Sequence, residues 1–137
     1  METHKLLNFK IFGDERGALT AIEGNKEIPF DIKRVFYIYN TKDKNVIRGN
    51  HANRKTKFVL IMLSGSCKVK IFDFNGGVQE IVELDSPDKG LFLENMVWKE
   101  MYDYTDNSVM LVLASEPFDA LEYIDTYEEL LEEIKND

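Results

Sequence analysis

The chain has little of what would take it out of the cell or into a membrane. Its one cysteine, Cys67, can form no intramolecular disulfide, and the opening METHKLLNFK has no apolar signal core, so a cytoplasmic location is expected. No uninterrupted apolar stretch approaches the ~18 residues of a membrane span, and no membrane partner is expected. Basic charge is scarce. Seventeen Lys and Arg face twenty-five Asp and Glu, a net charge of -8, which argues against a general nucleic-acid binder and requires any anionic ligand to find a local basic pocket. Histidine is scarcer still, with only His4 and His51. Linkers, repeats and low-complexity tracts are absent. What the chain does have is core-forming residues: 44% are hydrophobic, including nine Phe and six Tyr, and 137 residues suit one domain spanning 1–137.

Most of that apolar content is strand-like. The periodicity predicts short strands at Leu7 to Phe12, Ala18 to Ile22, Arg34 to Tyr39, Lys57 to Leu63, Ser66 to Phe72, Val78 to Leu84, Leu91 to Leu93, Val97 to Tyr102 and Ser108 to Ala114. Turn signals such as GDERG, NTKDKN, FNGG and SPDKG separate them, as in an antiparallel ladder. In the alternating run Ser66 to Ile71, Cys67, Val69 and Ile71 face inward. Phe58 to Leu63 is apolar throughout, the mark of a strand covered on both faces by a second sheet or a partner subunit. Leu121, Ile124, Tyr127, Leu131 and Ile134 recur every three or four positions, predicting a C-terminal amphipathic helix whose start Asp119 marks and whose Glu128, Glu129, Glu132 and Glu133 face solvent. The expected architecture is all-β, a jelly roll closing two sheets around a pocket, with one helix at the end.

The segment that carries chemistry is Arg48-Gly49-Asn50-His51-Ala52-Asn53-Arg54-Lys55-Thr56-Lys57. If it is extended, His51 and Asn53 project from one face into one pocket. It resembles the first motif of metal-binding cupins, a Gly, then His-x-His, then a Glu. Here Asn53 stands at the second His and Lys57 at the Glu, and Pro87 to Glu100 supplies no further His. One imidazole beside an ammonium does not suit a divalent ion, so no metal is expected.

The ordered runs Arg16-Gly17, Ile32 to Tyr37, Arg48 to Ala52, Leu84 to Pro87 with Gly90-Leu91, Val97 to Met101, Val112 to Ser115 and Tyr123-Ile124 with Tyr127 together resemble the sugar-nucleotide 3,4-ketoisomerases. These are small metal-free cupins that act on dTDP-4-oxo-6-deoxy-D-glucose. The resemblance implies a cupin domain, a homodimer, no cofactor, and conversion of the 4-keto sugar nucleotide to its 3-keto isomer for an aminotransferase that serves surface glycans. It also implies substrate contact at Tyr37, and places Arg16 and Lys99 where relatives set the face of C4 that is protonated.

The chemistry can be argued beside the resemblance. Moving a ketone from C4 to C3 needs a base for the C3 proton, a donor at C4, and an enediol between them. A neutral imidazole with an ordinary pKa near ~6.5 suits this, and His51 is the candidate, while His4 is expected to be exposed and inert. Asn53 can orient an enediol oxygen but cannot usefully exchange protons at neutral pH, which leaves that step to water, Tyr37 or another group. Arg48 suits a diphosphate through bidentate hydrogen bonds. Lys99 keeps a cation at its position but is expected not to titrate. Lys33-Arg34 and Arg54-Lys55 offer positive charge for the nucleotide but are expected in surface ion pairs, and Trp98 in the core or a dimer contact. Two other functions fit the same residues: a 3-epimerase or tautomerase on the same nucleotide, which differs in where the carbanion is reprotonated, and a sugar-nucleotide binding module without catalysis.

Overall fold

The computed structural model describes residues 2–41 and 43–136. One sheet runs in the order β1 (His4–Asn8), β9 (Lys89–Leu93), β6 (Phe58–Ser64), β11 (Val109–Ala114) and β4 (Arg34–Tyr39). A second runs β12 (Tyr123–Ile124), β5 (Arg48–Asn53), β10 (Lys99–Tyr102), β7 (Cys67–Phe72) and β8 (Val78–Leu84). A separate hairpin joins β2 (Phe12–Asp14) to β3 (Gly17–Leu19), and every ladder between these strands is antiparallel. The two large sheets face each other across a core of Phe58, Leu60 and Met62 from β6, Cys67, Val69 and Ile71 from β7, and Met110 and Val112 from β11. This is the expected jelly roll.

The wholly apolar β6 is explained by alternation between two covers. Phe58, Leu60 and Met62 enter the core between the sheets. Val59 and Ile61 point the other way, under Ile28 and Phe30 of the long connection from β3 to β4. A second outer layer forms where the C-terminal helix α1 (Tyr127–Lys135) lays Leu130 against Ala52, Trp98 and Ile124. Trp98 and Cys67 are core residues, as expected.

Three expectations need correction. Leu7 to Phe12 is not one strand, because β1 ends at Asn8 and β2 begins at Phe12; periodicity alone cannot place such a break. The helix does not start at Asp119. Asp119 instead accepts the Leu121 N–H to cap a single 3₁₀ turn at Ala120–Glu122, after which the chain runs as β12. The α-helix opens at Thr126, whose hydroxyl accepts the Glu129 N–H, the Thr-x-x-Glu pattern of a capping box. Third, His4 is not a free terminal residue: its Nε2 lies 2.5 Å from Glu80 on β8 and its Nδ1 2.7 Å from the Thr3 hydroxyl, so it ties the edge of one sheet to the other.

Candidate active site

The site is built where β5 meets β10. Gly49 and Asn50 both take positive φ, 83° and 55°, and a Cβ on Gly49 would come within 2.9 Å of the Lys99 carbonyl oxygen. The ladder shifts register between Lys99 and Glu100, so Lys99 sits directly opposite His51. A bulge of this kind re-aims side chains, and here it brings a cation to an imidazole. The Gly49 carbonyl lies 2.8 Å from His51 Nδ1. A carbonyl can only accept, so Nδ1 carries the proton and Nε2 is left with the lone pair.

His51, Arg48 and Lys99 line one cavity of about 170 Å³ between the sheets. Arg34, Phe36 and Ile38 of β4 form the facing wall, and Tyr123 of β12 closes one side with its ring centroid 4.8 Å from that of His51. The Arg34 guanidinium lies over Phe36 and over Phe118, an exposed ring that packs on Tyr123. The cavity thus holds one imidazole, two guanidinium groups and one ammonium within largely apolar walls.

Burial and the neighbouring Lys99 charge push the His51 pKa down to about 4, so the imidazole is neutral at neutral pH. This corrects the expectation of an ordinary imidazole. Lys99 is 4% exposed and has no ion-pair partner among the described residues; its Nζ lies 4.7 Å from the Phe58 ring centroid. Burial pulls its pKa down to about 7, partly countered by Glu122. Contrary to expectation, Lys99 is therefore a group that titrates near neutrality.

Asn53 shares the His51 face of β5 but does not line the cavity. It is buried, and its Nδ2 donates to Glu122 Oε1 at 3.1 Å. Glu122 also accepts from the Thr56 hydroxyl and from the Lys55 and Thr56 N–H groups. Burial alone would raise its pKa; these hydrogen bonds outweigh burial and hold the carboxyl below the usual range. Two further candidates stay outside the cavity. Tyr37 lies on the outward face of β4, 62% exposed and stacked on Tyr39, because strand alternation gives the inward positions to Phe36 and Ile38. Arg16 lies in the β2–β3 turn, paired with Asp14 at 2.7 Å. Neither meets His51 within one chain.

Sequence reasoning missed Glu122 and Tyr123 as site residues, and it put Arg34 in a surface ion pair where the structure lays it over Phe36 in the cavity wall. Leu121 and Ile124 flank the first two at helical spacing, which hid a turn and a strand. Arg34 shares the Phe36 face of β4, but period two alone does not say which face is inward. Arg54 does pair on the surface as expected, bridging β5 to Glu133 of the helix at 2.9 Å. Among the described residues no three His, Cys, Asp or Glu side chains converge as a metal would require.

Residues 2–135 match the family profile described as FdtA: WxcM-like, C-terminal. A TDP-4-oxo-6-deoxy-alpha-D-glucose-3,4-oxoisomerase of Aneurinibacillus thermoaerophilus is 50% identical over 125 residues, 91% of this chain and 88% of that one. The QdtA 3,4-ketoisomerase of Thermoanaerobacterium thermosaccharolyticum, solved with TDP, superposes with a TM-score of 0.91 at 43% identity, covering 98% of this chain and 96% of that one. A variant of that enzyme holding TDP-4-keto-6-deoxyglucose gives a TM-score of 0.92 at 42% identity over 99% and 96%.

Proposed function

The chain belongs to the FdtA family of sugar-nucleotide 3,4-ketoisomerases, and on that premise we propose that it converts TDP-4-oxo-6-deoxy-D-glucose to a TDP-3-oxo-6-deoxyhexose with His51 as the base at C3 and Lys99 as the proton donor at C4. The observation that carries this reading is a neutral imidazole with its Nδ1 pinned to the Gly49 carbonyl, in one cavity with a buried ammonium that has no ion-pair partner among the described residues.

In this reading His51 Nε2 takes the C3 proton, the C3–H electrons form the C3=C4 double bond, and the imidazolium passes its proton to O4. The neutral enediol results. Lys99 then protonates C4 as the C3=C4 electrons move, the C3–O bond becomes a carbonyl, and the O3 proton restores the ammonium. The proton from C3 ends on O4, a proton of Lys99 ends on C4, and the O3 proton replaces it on Lys99, so no cofactor enters the balance. Arg48 and Arg34 line the same cavity and suit the diphosphate. The nucleotide-sugar substrate and the single buried thiol support a cytoplasmic setting, with the 3-keto product serving an aminotransferase of surface-glycan synthesis.

The pH profile tests the pair of roles. His51 must be neutral to act, so kcat/KM rises with pH through about 4; Lys99 must be charged to donate, so it falls through about 7. Lys99→Arg keeps the charge but cannot release a proton, so it is expected to lower kcat/KM across the whole range. A profile that rises through ~6.5 and stays flat to pH 9 would contradict the assignment of Lys99.

The same reading includes a homodimer. Val35, Tyr37 and Tyr39 are exposed on the outer face of β4, and Ile11, Phe12 and Leu19 on and beside the β2–β3 hairpin. A groove of about 400 Å³ beside them is lined by Ile11, Ile61, Leu63 and Leu111. Apolar patches of this kind are normally covered by a partner, and Tyr37 and Arg16, which miss the cavity of their own chain, both lie there. Sedimentation at micromolar concentration is expected to give twice the 15.9 kDa chain mass; a monomer would refute the dimer.

A further inference from the structure

His51 lies close to the edge of its sheet. β5 is the second strand in from that edge, and only the two-residue β12 lies outside it among the described residues. Ile124 of β12 is turned away from the cavity, into the layer under the helix with Trp98 and Leu130. Tyr123 takes the other face. It pairs with Asn53, one diagonal step from His51, and its ring packs on the imidazole at the cavity side. The outer side of Tyr123 is covered in turn by Phe118, with ring centroids 5.8 Å apart. The Arg34 guanidinium lies 5.1 Å from the Phe118 centroid and 4.5 Å from that of Phe36. His51, Tyr123, Phe118, Arg34 and Phe36 therefore form a continuous run of stacked groups from β5 of one sheet to β4 of the other. Phe118 is 61% exposed, so it adds little to the core; what it touches is Tyr123 and Arg34.

We propose that Tyr123, backed by Phe118, is a positioning residue for the isomerisation: its ring is the wall that keeps bulk water off His51. An imidazole at a wet sheet edge is half-protonated near ~6.5, and the protonated form has no lone pair for the C3 proton. Burial is the largest influence on His51 and acts against that form, and Lys99 on β10 adds to it. The Gly49 carbonyl and the Asp125 and Glu122 carboxylates act the other way. Arg48 and Arg34 are the other charged groups lining the cavity. The inference rests on the isomerase reading above and concerns how the base is held in its reactive form.

The wall is tested by NMR titration of the histidine ring protons in the protein without nucleotide, with His51 identified by the signal that His51→Asn loses. The wild-type midpoint is expected near 4. In Tyr123→Ala it is expected to rise by roughly one unit or more toward ~6.5, so that at pH 5 at least about half of the imidazole is protonated instead of about a tenth. The ascending limb of kcat/KM should move with it. Tyr123→Phe, which keeps the ring and loses only the hydroxyl, is expected to hold the midpoint within about 0.3 unit of wild type. Phe118→Ala, a change at an exposed ring, is expected to raise the midpoint by a smaller amount, and it serves if Tyr123→Ala does not fold. A midpoint unmoved in folded Tyr123→Ala overturns the proposal, even if the melting temperature falls, since that is what a merely structural role would produce. So does a Tyr123→Phe midpoint that moves as far as that of Tyr123→Ala. The titration is read without turnover, so a wild-type protein that leaves the 4-keto nucleotide unchanged would instead refute the isomerase reading itself.

Discussion

His51→Asn is expected to leave a folded protein that binds TDP and turns over the 4-keto nucleotide about 100- to 10,000-fold more slowly, the range that loss of a general base produces. That loss is about 3–5 kcal/mol of barrier. The substitution is nearly silent for the fold. His51 is only half-buried, its neighbours on β5 and β10 are held by the ladder, and an asparagine amide can still donate to the Gly49 carbonyl in place of Nδ1–H. What it removes is the Nε2 lone pair that takes the C3 proton. Turnover by direct assay, with TDP affinity by calorimetry, separates the two effects; near-wild-type turnover would exclude His51 as the base.

Lys99→Met is expected to separate stability from activity in the opposite sense. The ammonium is buried in the wall of an apolar cavity without an ion-pair partner among the described residues, and a pKa brought down to about 7 from 10.5 measures how unfavourable its charge is there. The folded-state pKa lies below the unfolded one, so the folded protein bears this cost in full below about pH 7 and sheds it as pH rises toward 10.5. A methionine of similar length removes the charge and fills the space, a gain on the order of 3 kcal/mol at neutral pH and below. The melting temperature should rise by several degrees at pH 6 and converge with wild type near pH 10. Turnover should fall at least about 100-fold, because the donor at C4 is gone. A variant less stable than wild type at pH 6, or one that remains active, would contradict this account of Lys99.

What the sequence made legible was what depends on local alternation. The bounds of β4 and β8 read correctly from period two, Cys67 and Trp98 read as core, and the apolar run of β6 read as a strand covered on both sides. His51, Arg48 and Lys99 emerged from one motif and one resemblance, and the fold brings them to one cavity. The rest depended on distance in three dimensions. Whether Lys99 titrates depends on burial against Phe58 and on the bulge that sets it opposite His51, neither of which has a sequence signature. Glu122 lies 69 residues from Asn53, in a stretch whose spacing reads as helix. Tyr37 and Tyr39 read as a strand face correctly, but alternation does not say which face is inward. Phe36 and Ile38 took that side, and the tyrosines went out.

The most direct test of the isomerase assignment is to incubate the purified protein with TDP-4-oxo-6-deoxy-D-glucose in deuterium oxide and follow the sugar by NMR. With His51 removing the C3 proton and Lys99, whose protons exchange with solvent, delivering one to C4, the expected product carries its ketone at C3 and a deuterium on C4. Deuterium on C3 with the ketone still at C4, or an unchanged sugar, would contradict it.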